Sequence, residues 1–201
     1  MFVVFLVDDD PAVLKALSRR LRLRGYETRA YASPREFLVQ HDASLPGCAV
    51  LDVSMPDLDG LELQRALAEG EINRPVIFLT GKGDIPTSVR AMRAGAIDFL
   101  TKPVKDQDLL DAIARAKQRD DAIREAEADQ ASIKSRLATL TPREREVMSH
   151  VAAGELNKEI AANLGTVVQT IKVHRRRMMQ KLGLRSTVEL MRMVEKLDAS
   201  S

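Results

Sequence analysis

The chain holds a single cysteine, Cys48, which excludes an internal disulfide and a thiolate zinc cluster. Among its apolar neighbours it reads as a small core residue. Long apolar runs are also missing: no stretch comes near the roughly 18 residues of a membrane helix, so no membrane partner is expected. Residues 2–7 are apolar, but they have no basic leader and meet Asp8, Asp9 and Asp10 at once. They read as a buried strand, not a secretory signal, and the expectation is a cytoplasmic protein. No Gly-x4-Gly-Lys-Ser/Thr loop occurs, so an NTP-driven activity has no phosphate cradle. Neither Gly nor Pro is in excess, and 45% hydrophobic with 30% charged residues is the composition of a folded protein.

At 201 residues there is room for two units, each with its own core. The net charge of +2 hides an uneven distribution. Residues 1–115 carry 15 basic and 17 acidic side chains, whereas 141–201 carry 11 and 7. Between Gln169 and Arg185 stand six Lys or Arg and no acid, a local field that phosphate backbones attract.

As far as residue 115, short apolar runs alternate with amphipathic segments, the pattern of parallel strands crossed over by helices. Strands are predicted at 2–7, 26–31, 48–53, 76–79 and 97–100, with helices near 11–24, 34–41, 58–69, 84–94 and from 104 onward. The fold class is α/β, a doubly wound five-stranded parallel sheet, whose ligands bind at the carboxyl ends of the strands. Residues 106–140 contain no Gly or Pro, so the last helix is expected to continue as a charged, solvated linker. Pairs such as Asp120 and Arg124, four residues apart, would support it as an exposed helix.

Thr141-Pro142-Arg143-Glu144 forms a capping box with Pro at the first helical position, and opens a new unit. Four helices follow, at 142–153, 157–164, 168–182 and 186–197, with tight turns at Gly165 and Gly183. The reading is an all-α four-helix helix-turn-helix domain. The resulting divisions are 1–118, a helical linker at 119–138, and 139–201.

Asp8 and Asp9 follow the first strand, Asp52 ends the third, Thr80 ends the fourth and Lys102 follows the fifth, so all five fall on one rim. Three carboxylates together call for a hard divalent cation, and Mg2+ suits oxygen ligands. Lys102 would add a fixed positive charge and Thr80 a hydroxyl, a set that fits phosphoryl transfer to Asp52. Asp10 and Asp57 read as acids favoured near helix starts. On the helix at 168–182, Ile171, His174, Met178 and Leu182 form a core-facing stripe. Gln169, Lys172, Val173, Arg176 and Gln180 face the other way, with Arg177 at the margin. Cations, amides and one aliphatic residue suit a DNA major groove.

Leu6-Val7-Asp8-Asp9-Asp10, Leu51-Asp52-Val53-Ser54-Met55-Pro56-Asp57, Leu79-Thr80-Gly81 and Asp98-Phe99-Leu100-Thr101-Lys102-Pro103 resemble the motifs of response-regulator receiver domains. The resemblance implies the strand order 2-1-3-4-5, with Asp52 as phosphoacceptor. It also implies Mg2+ held by Asp9, Asp52 and the backbone carbonyl of Ser54, with Asp8 assisting. Thr80 and Phe99 match the family's switch pair, although Phe99 on its own reads as a strand core residue. Lys102-Pro103 matches a cis peptide, and Ser54 stands where Arg is frequent, a departure that bears on dephosphorylation.

The C-terminal run, with Asn157-Lys158-Glu159-Ile160, Thr170-Ile171-Lys172-Val173-His174 and Lys181-Leu182-Gly183, resembles the LuxR-type helix-turn-helix. Together the halves resemble the NarL/FixJ family, nearest the FixJ branch by the long linker and residues 81–84. Implied partners are a sensor histidine kinase, double-stranded promoter DNA, a second copy in an activated homodimer, and RNA polymerase. On this reading the chain regulates transcription and is not an enzyme beyond its own phosphorylation and dephosphorylation. An aspartyl-phosphate phosphohydrolase would need a second carboxylate two residues beyond Asp52, where Ser54 stands. A receiver that only dimerises, without phosphate, would not need the complete Asp8, Asp9, Asp52, Thr80 and Lys102 set.

Overall fold

The structure is a computed structural model that describes residues 1–81 and 85–198. Most of the 81–84 segment therefore lies outside the described residues. Two compact units divide the chain, Met1–Arg124 and Glu125–Ser201.

In the first unit the strands are β1 (Val3–Val7), β2 (Glu27–Tyr31), β3 (Gly47–Asp52), β4 (Val76–Thr80) and β5 (Asp98–Thr101). They form one sheet in the order β2-β1-β3-β4-β5, and every pairing is parallel, as the doubly wound reading requires. The central strands are apolar throughout because both faces are covered, and alternate residues serve alternate cores. Val3, Phe5, Val7, Leu51 and Phe78 pack on one face with Phe37 and Leu63 from α2 (Pro34–Gln40) and α3 (Gly60–Glu69). Val4, Leu6, Val50, Ile77 and Leu79 pack on the other. That face is covered by α1 (Pro11–Leu23), through Leu14, Leu17 and Leu21, and by the first turns of α5 (Asp106–Ala138), through Leu109 and Ile113. Each such side chain, fully buried, contributes about 1.5–3 kcal/mol. Helix α4 (Ile85–Arg93) completes the unit. Cys48 sits fully buried in β3, and desolvation pushes its thiol pKa up to about 12.

Helix starts follow local chemistry. Asp10 caps α1 by accepting from the Ala12 N–H, the role expected of an acid at that position. The predicted start of α3 near 58 is corrected to Gly60: Asp59 and Glu62 form a capping box. Asp57 lies ahead of it, exposed and left-handed at φ 67°, and caps nothing.

The solvated spacer expected after residue 115 is corrected at Asp120 and Arg124, while most of residues 121–132 is exposed. Asp120 is 2% exposed; its carboxylate accepts from the Gly47 N–H at 3.1 Å and from Arg124 Nε at 2.9 Å. Arg124 in turn donates to the carbonyls of Ser44 and Leu45. The i, i+4 pair, with Asp120 buried and Arg124 half-buried, thus anchors α5 on the start of β3.

The second unit begins with the last turns of α5, whose Ile133 joins Leu140, Val147, Ile160 and Ile171 in one core. Helices α6 (Pro142–Ala152), α7 (Asn157–Asn163), α8 (Val168–Leu182) and α9 (Thr187–Asp198) follow. The Thr141–Glu144 capping box is present, and Glu144 is 2% exposed. Lys181 Nζ donates to Glu144 Oε2 at 2.6 Å and to the Thr139 carbonyl. The Lys181 hydrogen bond is the largest cause holding the Glu144 carboxyl below its ordinary pKa. Ahead of α9, Ser186 accepts from the Glu189 N–H and the Glu189 carboxylate accepts from the Arg185 N–H.

Candidate functional site

The parallel register brings the ends of β1, β3, β4 and β5 to one rim. Lys102 Nζ donates to Asp8 Oδ2 at 2.6 Å and to Asp52 Oδ1 at 2.5 Å, so one ammonium joins the first strand to the third. Both carboxylates are buried, and each keeps a backbone donor on its other oxygen. Asp8 Oδ1 accepts from the Asp10 N–H at 3.0 Å, and Asp52 Oδ2 accepts from the Ser54 N–H at 2.7 Å. Lys102 is fixed in turn by its own N–H, which donates to the Thr80 carbonyl at 2.7 Å; the Lys102-Pro103 peptide is cis. Burial disfavours the Lys102 charge, yet the hydrogen bonds to Asp52 and Asp8 outweigh it and hold the pKa above the ordinary lysine value.

Thr80 is 2% exposed at the end of β4. Phe99, half-buried on β5, lies against Phe78 with ring centroids 6.1 Å apart. Asp9 is exposed and does not share Lys102. Gly60 is required here: a Cβ on it would stand 2.3 Å from the Asp52 carbonyl oxygen, so only glycine lets α3 approach the strand end that carries Asp52.

The donor set suits a hard cation in type, being all oxygen. Two carboxylates on one ammonium, with Asp9 next in the chain, leave negative charge that a divalent ion would offset. Among the described residues no three acidic, His or Cys side chains already converge in a metal-binding arrangement. The physical reason is that Asp8 and Asp52 close on Lys102 while Asp9 faces solvent.

On α8, Ile171, Met178 and Leu182 are buried and His174 is half-buried, whereas Gln169, Lys172, Val173, Arg176, Arg177 and Gln180 are all exposed. Sequence reasoning missed the residue that fixes this helix. Arg175 donates to Asn157 Oδ1 of α7 at 3.1 Å and to Thr187 Oγ1 of α9 at 2.6 Å, and so braces three helices. It lies within a cationic run, and no signal in that run separates it from its exposed neighbours. At the N-terminus of α8 the cap position is Val167, which offers no side-chain acceptor.

Comparison with known proteins divides the chain in the same two parts. The response regulator receiver domain family matches residues 4–114, and the luxR family of bacterial regulatory proteins matches residues 138–194. Nodulation protein W of Bradyrhizobium diazoefficiens is 46% identical over 199 residues, covering 99% of this chain and 88% of that protein. The transcriptional regulatory protein FixJ of Rhizobium meliloti is 42% identical, covering 96% and 94%. Among solved structures, the response regulator StyR matches with a TM-score of 0.84 at 42% identity, over 97% of this chain and 98% of that one. No helix among the described residues is long and apolar enough to cross a membrane. The chain belongs to the NarL/FixJ-type response regulators, two-component transcription regulators that join a receiver domain to a LuxR-type DNA-binding domain.

Proposed function

We propose that Asp52 accepts a phosphoryl group from a sensor histidine kinase and that its phosphorylation switches promoter binding by α8. The observation that carries this reading is the half-buried Lys102 ammonium shared by Asp8 and Asp52 at the carboxyl rim of the sheet. An Asp52 oxygen attacks phosphorus, the P–N bond to the donor imidazole breaks, and the leaving nitrogen takes up a proton. The product is an acyl phosphate, and its hydrolysis returns the carboxylate. Lys102, already on Asp52 Oδ1, stands where it would pair with the phosphoryl oxygens. Asp8, Asp9, Asp52 and the Ser54 backbone carbonyl would hold Mg2+, which when bound offsets charge on the transferring group. Thr80 and Phe99 form the switch pair, through the Thr80 hydroxyl and the aromatic ring.

The working division is a receiver at 1–118, a helical linker at 119–138 and a DNA-binding domain at 139–201, in a cytoplasmic protein. Gln169, Lys172, Val173, Arg176, Arg177 and Gln180 contact DNA, and their common exposure supports this. The activated form is a homodimer that works with RNA polymerase. Ile85, Val89 and Met92, 79%, 42% and 46% exposed on α4, support self-association through that helix.

DNA affinity of the wild type and of Asp52→Asn, measured with Mg2+ at one salt concentration, with and without a small phosphodonor, tests the reading. A gain in affinity by the wild type alone is expected. An equal response of both proteins, or none, overturns it.

A further inference from the structure

Helices α1, α2, α3 and α6 open on Asp10, Ser33, Asp59 and Thr141, each of which accepts a hydrogen bond from a first-turn N–H. At α7 the cap residue is Leu156, and Glu159 reaches back to its N–H at 2.7 Å. Helix α8 has neither device: its cap residue is Val167, and no acid stands in its first turn. The Val167 carbonyl nevertheless closes that turn, accepting from the N–H groups of Thr170 and Ile171, so Val167 is held at the helix entrance. The turn before it is fixed as well, with Gly165 left-handed at φ 61° and Arg143 donating to the Leu164 carbonyl at 2.7 Å.

Val167 is 66% exposed and Val168, the next residue, 36%. One exposed valine needs no explanation. Two together at this entrance, where a hydroxyl or amide would cap the helix, give up local stability, and neither belongs to the domain core. Their surroundings narrow the occupant. Residues 160–188 contain six Lys or Arg and no acid. Val168 stands one turn before Lys172, and Gln169 one turn before Val173, so the valine pair extends the exposed α8 face at its N-terminal end. An occupant that is a polyanion and also offers small apolar groups fits both features. In the DNA major groove that apolar group is the thymine 5-methyl, and the N-terminal residues of the second helix of a helix-turn-helix are the ones that meet base edges.

We propose that Val167 and Val168 are specificity residues that pack on thymine methyl groups where α8 enters the major groove. The proposal rests on the reading of α8 as the DNA-contacting helix and adds to it a base preference. The absent cap is then part of the recognition surface: an aliphatic side chain reads a methyl group, whereas a serine or aspartate at the same place would serve only the helix.

The test uses the full chain with Mg2+ and a small phosphodonor, and a duplex that this protein selects from a random-sequence pool. Replacing its thymines one at a time by uracil removes a methyl and no hydrogen-bonding group. At one or more positions uracil should weaken wild-type binding about fourfold, the worth of one buried methylene. The double variant Val167→Ser, Val168→Ser should bind the thymine and uracil duplexes alike at those positions, with a melting temperature unchanged or raised by the restored cap. Wild-type binding indifferent to uracil at every position overturns the proposal, the result expected if the valine pair instead meets another protein. So does a double variant that discriminates as the wild type does, which would assign the methyl contact to Val173. Lys172→Ala separates the two levels of the reading. If it weakens binding while the uracil comparison stays flat, α8 still contacts DNA and the valine assignment alone falls; if it has no effect, the reading of α8 falls and the valine assignment with it.

Discussion

The two rims of the receiver sheet each hold a cation near acidic groups, and they use it in opposite ways. At the carboxyl rim Lys102 is divided between the Asp8 and Asp52 side chains, both of which keep capacity for further ligands. At the other rim the four terminal hydrogen bonds of Arg74 end on backbone carbonyls of one loop, and its guanidinium also covers the Phe5 ring at 4.6 Å. Beside it, Asp120 ties the Gly47 N–H to Arg124. A cation bound to carbonyls has nowhere to go, whereas a cation shared by carboxylates can be passed to an incoming anion. The first arrangement is structural and the second is chemical.

Substitutions should separate the two by size. Arg74→Ala leaves four carbonyls without their donor, and should cost about 3–5 kcal/mol in urea unfolding. A loss under about 1 kcal/mol would mean that the loop carbonyls find water instead.

The Glu144–Lys181 pair of the second unit should fall between the extremes, with Glu144→Gln costing about 1–3 kcal/mol at pH 7. Its pH dependence has a definite sign. The folded carboxyl titrates below 4.5, its unfolded value, so the stabilisation is present above that pH and is lost as pH falls through the folded pKa. Unfolding curves of wild type and variant should therefore converge under acid; a gap constant from pH 7 to pH 3 would rule out the ion pair as its source.

Asp52→Asn removes one of two carboxylates competing for a single ammonium, and should change stability by less than about 1 kcal/mol while phosphorylation is lost. A large destabilisation would place Asp52 with the structural groups and erase the distinction. The smallest effect is a gain. Val167→Ser supplies the missing acceptor at the start of α8 and should add about 0.5–1 kcal/mol to thermal stability. No gain would show that the first turn of α8 is already satisfied by other means.

The acidic rim was legible because each of its residues stands at a strand end, and the alternation of apolar runs and amphipathic segments places those ends together. The α8 face was legible from its 3.6-residue period, since Ile171, Met178 and Leu182 repeat on one side. The Arg74 and Asp120 knot was not. Its long-range partners are 27 to 80 residues apart along the chain, and most are carbonyls, which have no signature in side-chain identity. Balanced charge after residue 115 resembles a solvated helix whether or not one acid in it is buried. The start of α3 was misplaced for a more local reason: Asp57 and Asp59 are both plausible caps, and only the backbone distinguishes them, with Asp57 in a left-handed turn and Asp59 extended.

Cys48 has a practical consequence. A thiol that is fully buried and does not ionise below about pH 12 is, to a maleimide at neutral pH, not there. The natural chain can be treated as cysteine-free, so a fluorophore attached to one introduced surface cysteine would report on a single known position without removal of the native residue.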